Sequence, residues 1–295
     1  MPFAPAEGAN LYYEETGAGH PIVFVHEFAG DHRSWEQQVR WFSRDYRCIT
    51  YNARGYPPSD VPEADEAYSY THFADDIAAL LRHLNIAKAH IVGLSMGGYA
   101  TLHFGLCHRS LASALVVAGC GSGSPRAHRA DWKTQSVAAA DQFATDGADR
   151  VAMDYGLGPT RVQLQNKDPR GWADFVRHLG EHSSIGSAKT LRNYQAKRPS
   201  LEDFKTELTA LKVPTLLAVG DEDDPCLETN LFLKRAISTS GLWVAPRTGH
   251  AINLEEPSAF NRAVQDFFGQ VERGAWRPRD PRSISTLIMP VAAKS

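Results

Sequence analysis

A chain of 295 residues, 43% hydrophobic and 22% charged, is long enough to bury a large core as one domain with an insertion. Its formal net charge of −3 gives no electrostatic reason for nucleic acid or an anionic membrane as partner, and no apolar run approaches the roughly 20 residues that cross a bilayer. The start, Met-Pro-Phe-Ala-Pro-Ala-Glu-Gly, lacks the basic and apolar regions of a secretion signal, and Cys48, Cys107, Cys120 and Cys226 form no CxxC pair, so reduced thiols in a cytoplasmic protein are expected.

In chain order, Leu11–Glu15 and Pro21–Val25 read as strands separated by Gly-Ala-Gly-His. The second is a continuous apolar run, as in a strand covered on both faces. Cys48–Tyr51 is the next strand, followed by a loop through Arg54 and Pro57-Pro58. A helix is predicted from Tyr70 to Leu84, because Phe73, Ile77, Leu80, Leu81 and Leu84 recur near the 3.6 period. Ala89–Leu94 is a short apolar strand, Met96–Leu106 a small-residue helix, and Leu111–Ala118 a further strand.

Beyond about Ser124 the strand signals stop. Helical segments rich in Ala, Gln and Arg follow, with Trp132, Phe143, Met153, Tyr155, Leu157, Trp172, Phe175 and Leu179 as their apolar material. Strands resume at Val213–Val219 and Gly241–Val244, and an amphipathic helix spans Pro257–Val271. Alternating strands and helices on both sides of the insertion predict an α/β fold with a mostly parallel sheet covered on both faces. The expected organisation is a core of 1–123 and 209–272, a helical cap of 124–208, and an extended tail of 273–295. The apolar Leu287–Pro290 segment of that tail leaves packing against the body or a partner subunit open, and with it a homo-oligomer.

The chemistry concentrates in Gly93-Leu94-Ser95-Met96-Gly97, with a strand before it and a helix after it. Glycines on both sides let the chain turn sharply, which pushes the serine outward under backbone strain. At a helix N-terminus, unpaired N–H groups and the helix dipole favour the negative charge that develops in acyl transfer. Serine is a poor nucleophile by itself and needs a base with an orienting group. Downstream, Gly220-Asp221-Glu222-Asp223-Asp224 follows an apolar strand, and Gly249-His250 follows another. Strand carboxyl ends are where open α/β sheets carry their active residues.

This ordered set resembles the α/β-hydrolase family over roughly residues 10–272, and is most similar to its cap-bearing enol-lactone and C–C bond hydrolases. The resemblance implies an eight-stranded-type, mostly parallel sheet with a cap. No cofactor and no metal are expected. It implies Ser95 as nucleophile, His250 as general base and then acid, and Asp223 as the orienting carboxylate by its spacing from Gly220. Asp221 and Asp224 are rivals on the same loop. Met96 and, by position, Phe28 would supply the oxyanion N–H groups. Where family members have His-Gly, this chain has His26-Glu27. Glu27 could bind a polar substrate group or act on a proton, or be turned outward or paired with an arginine such as Arg54.

Ser95 argues against the dehalogenase and epoxide-hydrolase branches, which use aspartate. The expected reaction is hydrolysis of a carboxylic ester or lactone of a small to medium molecule through an acyl-enzyme. C–C hydrolysis of a diketone and a non-turnover small-molecule receptor are the alternatives. Candidate pocket walls are Phe28, Met96, Trp132, Tyr155 and Trp172, with Glu27 beside them. The remaining histidines follow no metal-ligand spacing, and Gly119–Gly123 lacks the Lys-Ser/Thr ending of a phosphate loop.

Overall fold

The computed structural model describes residues 2–284. Eight strands form one sheet: β1 (Phe3–Ala6), β2 (Ala9–Thr16), β3 (His20–Val25), β4 (Tyr46–Tyr51), β5 (Ala89–Leu94), β6 (Ala112–Ala118), β7 (Thr215–Gly220) and β8 (Ser240–Ala245). Their order is β1-β2-β4-β3-β5-β6-β7-β8. The pairs β1–β2 and β2–β4 are antiparallel and every other pair is parallel. β1 has no strand signature in the sequence. It forms because Glu7 and Gly8, the latter at φ 72°, fold Phe3–Ala6 back onto β2.

Side chains alternate across the sheet and supply two cores. Val23, Val25, Ile91, Leu115 and Val117 face one, and Ile22, Phe24, Val92, Val116 and Ala118 the other. Onto the first face pack α2 (Tyr70–His83), α3 (Met96–Cys107) and, after the helical insertion described below, the helix Asp224–Ala236, through residues such as Ile77, Leu81, Phe104 and Leu233. Onto the second pack α1 (Glu36–Phe42) and the helix Pro257–Glu272, through Phe42, Phe260, Val264 and Phe268. The 3.6-residue period of α2 thus reports its buried face, and its end at His83 is one residue short of the expectation.

Between β6 and β7 the chain is helical: α4 (Arg129–Asp146), α5 (Ala148–Gly156), α6 (Val162–Lys167), α7 (Pro169–Gly180), α8 (Ser184–Lys189), a π-helical turn at Thr190–Gln195, and α9 (Lys205–Ala210). Phe143, Phe175 and Leu179 are buried there, whereas Met153 and Leu157 are 48% and 57% exposed and contribute little to its packing. After β7 come α10 (Asp224–Ala236), and after β8 α11 (Ile252–Glu255) and α12 (Pro257–Glu272).

The start of the C-terminal segment is tied down. Trp276 packs edge-on to Phe267 at 4.6 Å and donates its indole N–H to the Thr239 carbonyl at 2.8 Å. Leu287–Pro290 lies outside the described residues. Among the described residues no helix is long and apolar enough to cross a membrane.

The central strands β3 and β5 are neighbours, with Val25 opposite Gly93. The chain leaves β3 toward β4 on one side and returns through β5 on the other. This reversal opens a crevice at their carboxyl ends, where a doubly wound sheet binds ligands.

Candidate active site

Ser95 sits between β5 and α3 at φ 55°, ψ −112°, a conformation costly for a residue with a Cβ. Its N–H is held by the Ala118 carbonyl at 2.8 Å. The flanking glycines are required by contact: a Cβ on Gly93 would lie 2.2 Å from the Gly97 carbonyl oxygen, and one on Gly97 would lie 2.1 Å from that of Val25. Strand, helix and the β3 end therefore converge more closely than any side chain permits. The Met96 N–H opens α3 without an intrahelical acceptor. The Met96 carbonyl accepts the Tyr194 hydroxyl at 3.0 Å, which ties the elbow to the π-helical turn.

The loop after β3 is organised by His26. Ala53 N–H donates to its Nε2 at 3.0 Å, so the proton resides on Nδ1, which donates to the Glu27 carbonyl at 2.7 Å. Burial pushes this imidazole's pKa down and keeps it neutral. The Glu27 carbonyl also accepts Gly30 N–H at 3.2 Å. In a planar trans peptide the N–H points opposite to the carbonyl, so gripping the Glu27 oxygen aims the Phe28 N–H away from the loop. That N–H has no protein acceptor among the described residues.

Asp223 follows β7 and His250 follows β8. Their loops interlock: Asp221 accepts the Thr248 N–H at 3.1 Å, and Glu222 N–H donates to the Thr248 carbonyl at 2.9 Å. Glu255 clamps the histidine loop from below, accepting the N–H groups of Gly249 at 2.5 Å and Ala251 at 3.0 Å. His250 Nδ1 then meets Asp223 Oδ2 at 2.9 Å, with both residues buried. Of the three neighbouring aspartates, Asp221 is spent on Thr248 and Asp224 is exposed at the start of α10. Burial pushes the His250 imidazole down, but the Asp223 charge and hydrogen bond outweigh it, and its pKa lies above the ordinary value.

Among the described residues, Asp223, Cys226 and His250 form the one trio of His, Cys, Asp or Glu donor atoms close enough to hold a metal ion. His250 Nδ1 is already bonded to Asp223, and burial raises the Cys226 thiol well above its ordinary range, which keeps it protonated. The trio fits a hydrogen-bonded acid–base pair better than an ion.

Ser95 and His250 line one cavity of about 320 Å³. Phe28, Ser122, Trp132, Gln135, Ser136, Ala139, Tyr155, the Gly158–Thr160 turn, Leu191 and Gln195 complete its wall. Trp132 is fixed there by its indole N–H on the Gln195 carbonyl at 2.8 Å, and Tyr155 lies 6.0 Å from the Phe28 ring. A larger groove of about 500 Å³ between the β2–β4 pair, the 29–40 segment and α7 contains neither Ser95 nor His250.

Three expectations are corrected. Trp172 is not in the cavity wall: its indole N–H is held on the Gly156 carbonyl at 2.7 Å. Met96 is not there either, because its side chain is buried against Tyr56, whose hydroxyl lies 4.0 Å from its sulfur. Glu27 is outside the wall and does not meet Arg54. Arg54 is bound by Asp76 at 2.6 and 2.9 Å, while Glu27 is paired with Arg161 from the turn before α6. Arg161, Tyr194 and Gln195 carry no motif in the sequence, and no spacing in the helical run marks them.

Comparison with known proteins bears on the fold and family of the chain. The family model described as alpha/beta hydrolase fold matches residues 20–257. The chain is 28% identical over 255 residues to 3-oxoadipate enol-lactonase 1 of Acinetobacter baylyi, covering 85% of this chain and 88% of that protein. It is 26% identical over 284 residues to a non-heme haloperoxidase of Rhodococcus erythropolis, covering 90% and 99%. The solved structure of a thermophilic esterase from Thermogutta terrifontis superposes with a TM-score of 0.78 at 26% identity, covering 89% of this chain and 94% of the other.

Proposed function

Because the chain belongs to the α/β-hydrolase fold family, we propose that it is a serine hydrolase acting on an uncharged carboxylic ester or lactone. The observation that carries this reading is one cavity lined by both Ser95 at the strained turn and His250, whose far nitrogen is bonded to Asp223. An enol-lactonase and an esterase among the similar proteins support the ester or lactone class.

In this proposal Ser95 Oγ attacks the substrate carbonyl while His250 Nε2 takes its proton. Asp223 holds the imidazole with its proton on Nδ1 and stabilises the imidazolium. The oxyanion is received by the N–H groups of Met96 and Phe28, neither of which has a protein acceptor competing for it among the described residues. His250 returns the proton to the leaving oxygen, and water then releases the acyl group by the same steps in reverse order.

Size and lining suggest the substrate. A volume of about 320 Å³ sits at the lower end of ligand pockets, roughly 300–1,000 Å³. Among the described residues the wall includes no Asp, Glu, Lys or Arg side chain, so a free carboxylate on the substrate would enter unpaired. Aromatic and amide side chains from the 124–208 segment form much of that wall, which supports its role as a cap.

The test is a panel of neutral and carboxylate-bearing p-nitrophenyl esters with the wild type and Ser95→Ala, plus labelling by a serine-directed phosphonate. Turnover of neutral esters, its loss in Ser95→Ala and phosphonate on the Ser95 peptide are expected. Turnover that survives the substitution, or a label elsewhere, overturns the mechanism. Thermal stabilisation by ligands without turnover is the outcome that favours a receptor.

A further inference from the structure

Glu27 and Arg161 form an ion pair with side chains 2% and 0% exposed, joining the loop after β3 to the segment over the cavity. Glu27 precedes Phe28, and Arg161 follows the Gly158–Thr160 turn; Phe28 and that turn both line the cavity. The Arg161 guanidinium lies 4.7 Å from the Phe175 ring and 5.4 Å from the Tyr155 ring, and donates to the Thr160 carbonyl at 3.0 Å. Its Nε has no partner among the described residues. Burying two ions carries a desolvation cost that mutual attraction often only offsets, and apolar residues of similar size would hold the same elements together. What an ion pair adds is a fixed field with two opposite poles.

We propose that Glu27 and Arg161 are paired positioning residues: they hold the cavity wall against the loop that presents Phe28, and they set the electrostatic environment of His250. The proposal rests on the hydrolase reading for its catalytic consequence, though not for its electrostatic one. The charged and titratable groups facing His250 are Asp223 from the β7 loop, Cys226 from α10, Arg161 before α6 and Glu27 after β3. Glu255 of α11 is committed to the amides on either side of His250, and Lys167 of α6 to Glu256 and Thr248. Arg161 disfavours the imidazolium and Glu27 favours it, so the two poles of the intact pair act on His250 in opposite directions. Neither residue touches the reacting atoms.

This opposition has a signature that a purely structural contact does not share. Glu27→Gln leaves an uncompensated cation near His250 and shifts its titration midpoint to lower pH. Arg161→Met leaves an uncompensated anion and shifts it to higher pH. The double variant Glu27→Gln/Arg161→Met, which buries no lone charge, returns the midpoint toward that of the parent but raises KM several-fold, because the Gly158–Thr160 wall is no longer tied down. The midpoint is read by NMR of isotopically labelled histidine in a Ser95→Ala background, with the His250 signal identified by its loss in His250→Gln.

Opposite shifts in the two single variants, each with a native circular-dichroism spectrum, are expected. Shifts of the same sign, or none, overturn the electrostatic role. A double variant with wild-type KM and kcat overturns the positioning role, and it decides the matter if a single variant does not fold. The NMR titration needs no turnover, so a wild type inactive on every ester would count against the hydrolase reading alone.

Discussion

Asp223→Asn tests the acid–base pair with little change in shape. In the wild type the carboxylate accepts His250 Nδ1–H at 2.9 Å, while its other oxygen, Oδ1, is buried with no partner among the described residues. The variant has two arrangements. With its NH2 toward Nδ1, it imposes the tautomer that carries the proton on Nε2, where a base for Ser95 must be bare. With its oxygen toward Nδ1, the buried NH2 sits where no acceptor is found, at about 1–3 kcal/mol. Both remove the charge that stabilises the imidazolium. In serine hydrolases the tautomer error costs about 10⁴ in kcat, or about 5.5 kcal/mol of transition-state free energy. The assay is steady-state hydrolysis of a neutral p-nitrophenyl ester; a kcat within tenfold of wild type would refute the reasoning. Stability supplies a second reading. Because the folded-state pKa of His250 is raised, the pair contributes fully below its unfolded value of about 6.5, and that contribution fades as pH rises through the folded value. The gap in urea-unfolding free energy between wild type and variant is therefore widest in acid and narrows toward alkaline pH.

Three more substitutions probe the supports of the site. In Gly97→Ala the new Cβ would lie 2.1 Å from the Val25 carbonyl oxygen, so a stability loss of at least about 1–3 kcal/mol in urea unfolding is expected, together with loss of activity; near-native values would contradict the close approach. Tyr194→Phe removes the buried donor to the Met96 carbonyl, 3.0 Å away, and is expected to lower stability by about 1 kcal/mol and to reduce kcat more than it raises KM. Asp76→Asn leaves the Arg54 guanidinium, 1% exposed, without its counter-charge, at about 3–5 kcal/mol in denaturant titration; a change under about 1 kcal/mol would show that carbonyl acceptors suffice.

Local chemistry explains what was legible in advance. The strand runs β3, β5, β6 and β7 are covered on both faces, so their apolar composition is continuous and plain in one dimension. The elbow is legible because Gly93 is demanded by the Gly97 carbonyl that the turn itself brings near, although Gly97 answers to the Val25 carbonyl of the paired strand β3. β1 was not legible, since Phe3-Ala-Pro-Ala becomes a strand only by pairing with β2. Trp172 and Tyr155 are both aromatic residues in the same helical run, yet only Tyr155 reaches the cavity, and nothing in their spacing separates them.

The sequence by itself determined the reactive residue types, their order along the chain and their places at strand ends, because short-range turn geometry dictates those. Tertiary structure decided the partners. Among three adjacent aspartates it sets Asp223 on His250, since interlocked loops occupy Asp221 and solvate Asp224. It likewise gives Glu27 an arginine 134 residues away in place of Arg54, which Asp76 already holds. A buried charge must find an opposite one, but only the folded chain determines which lies within reach.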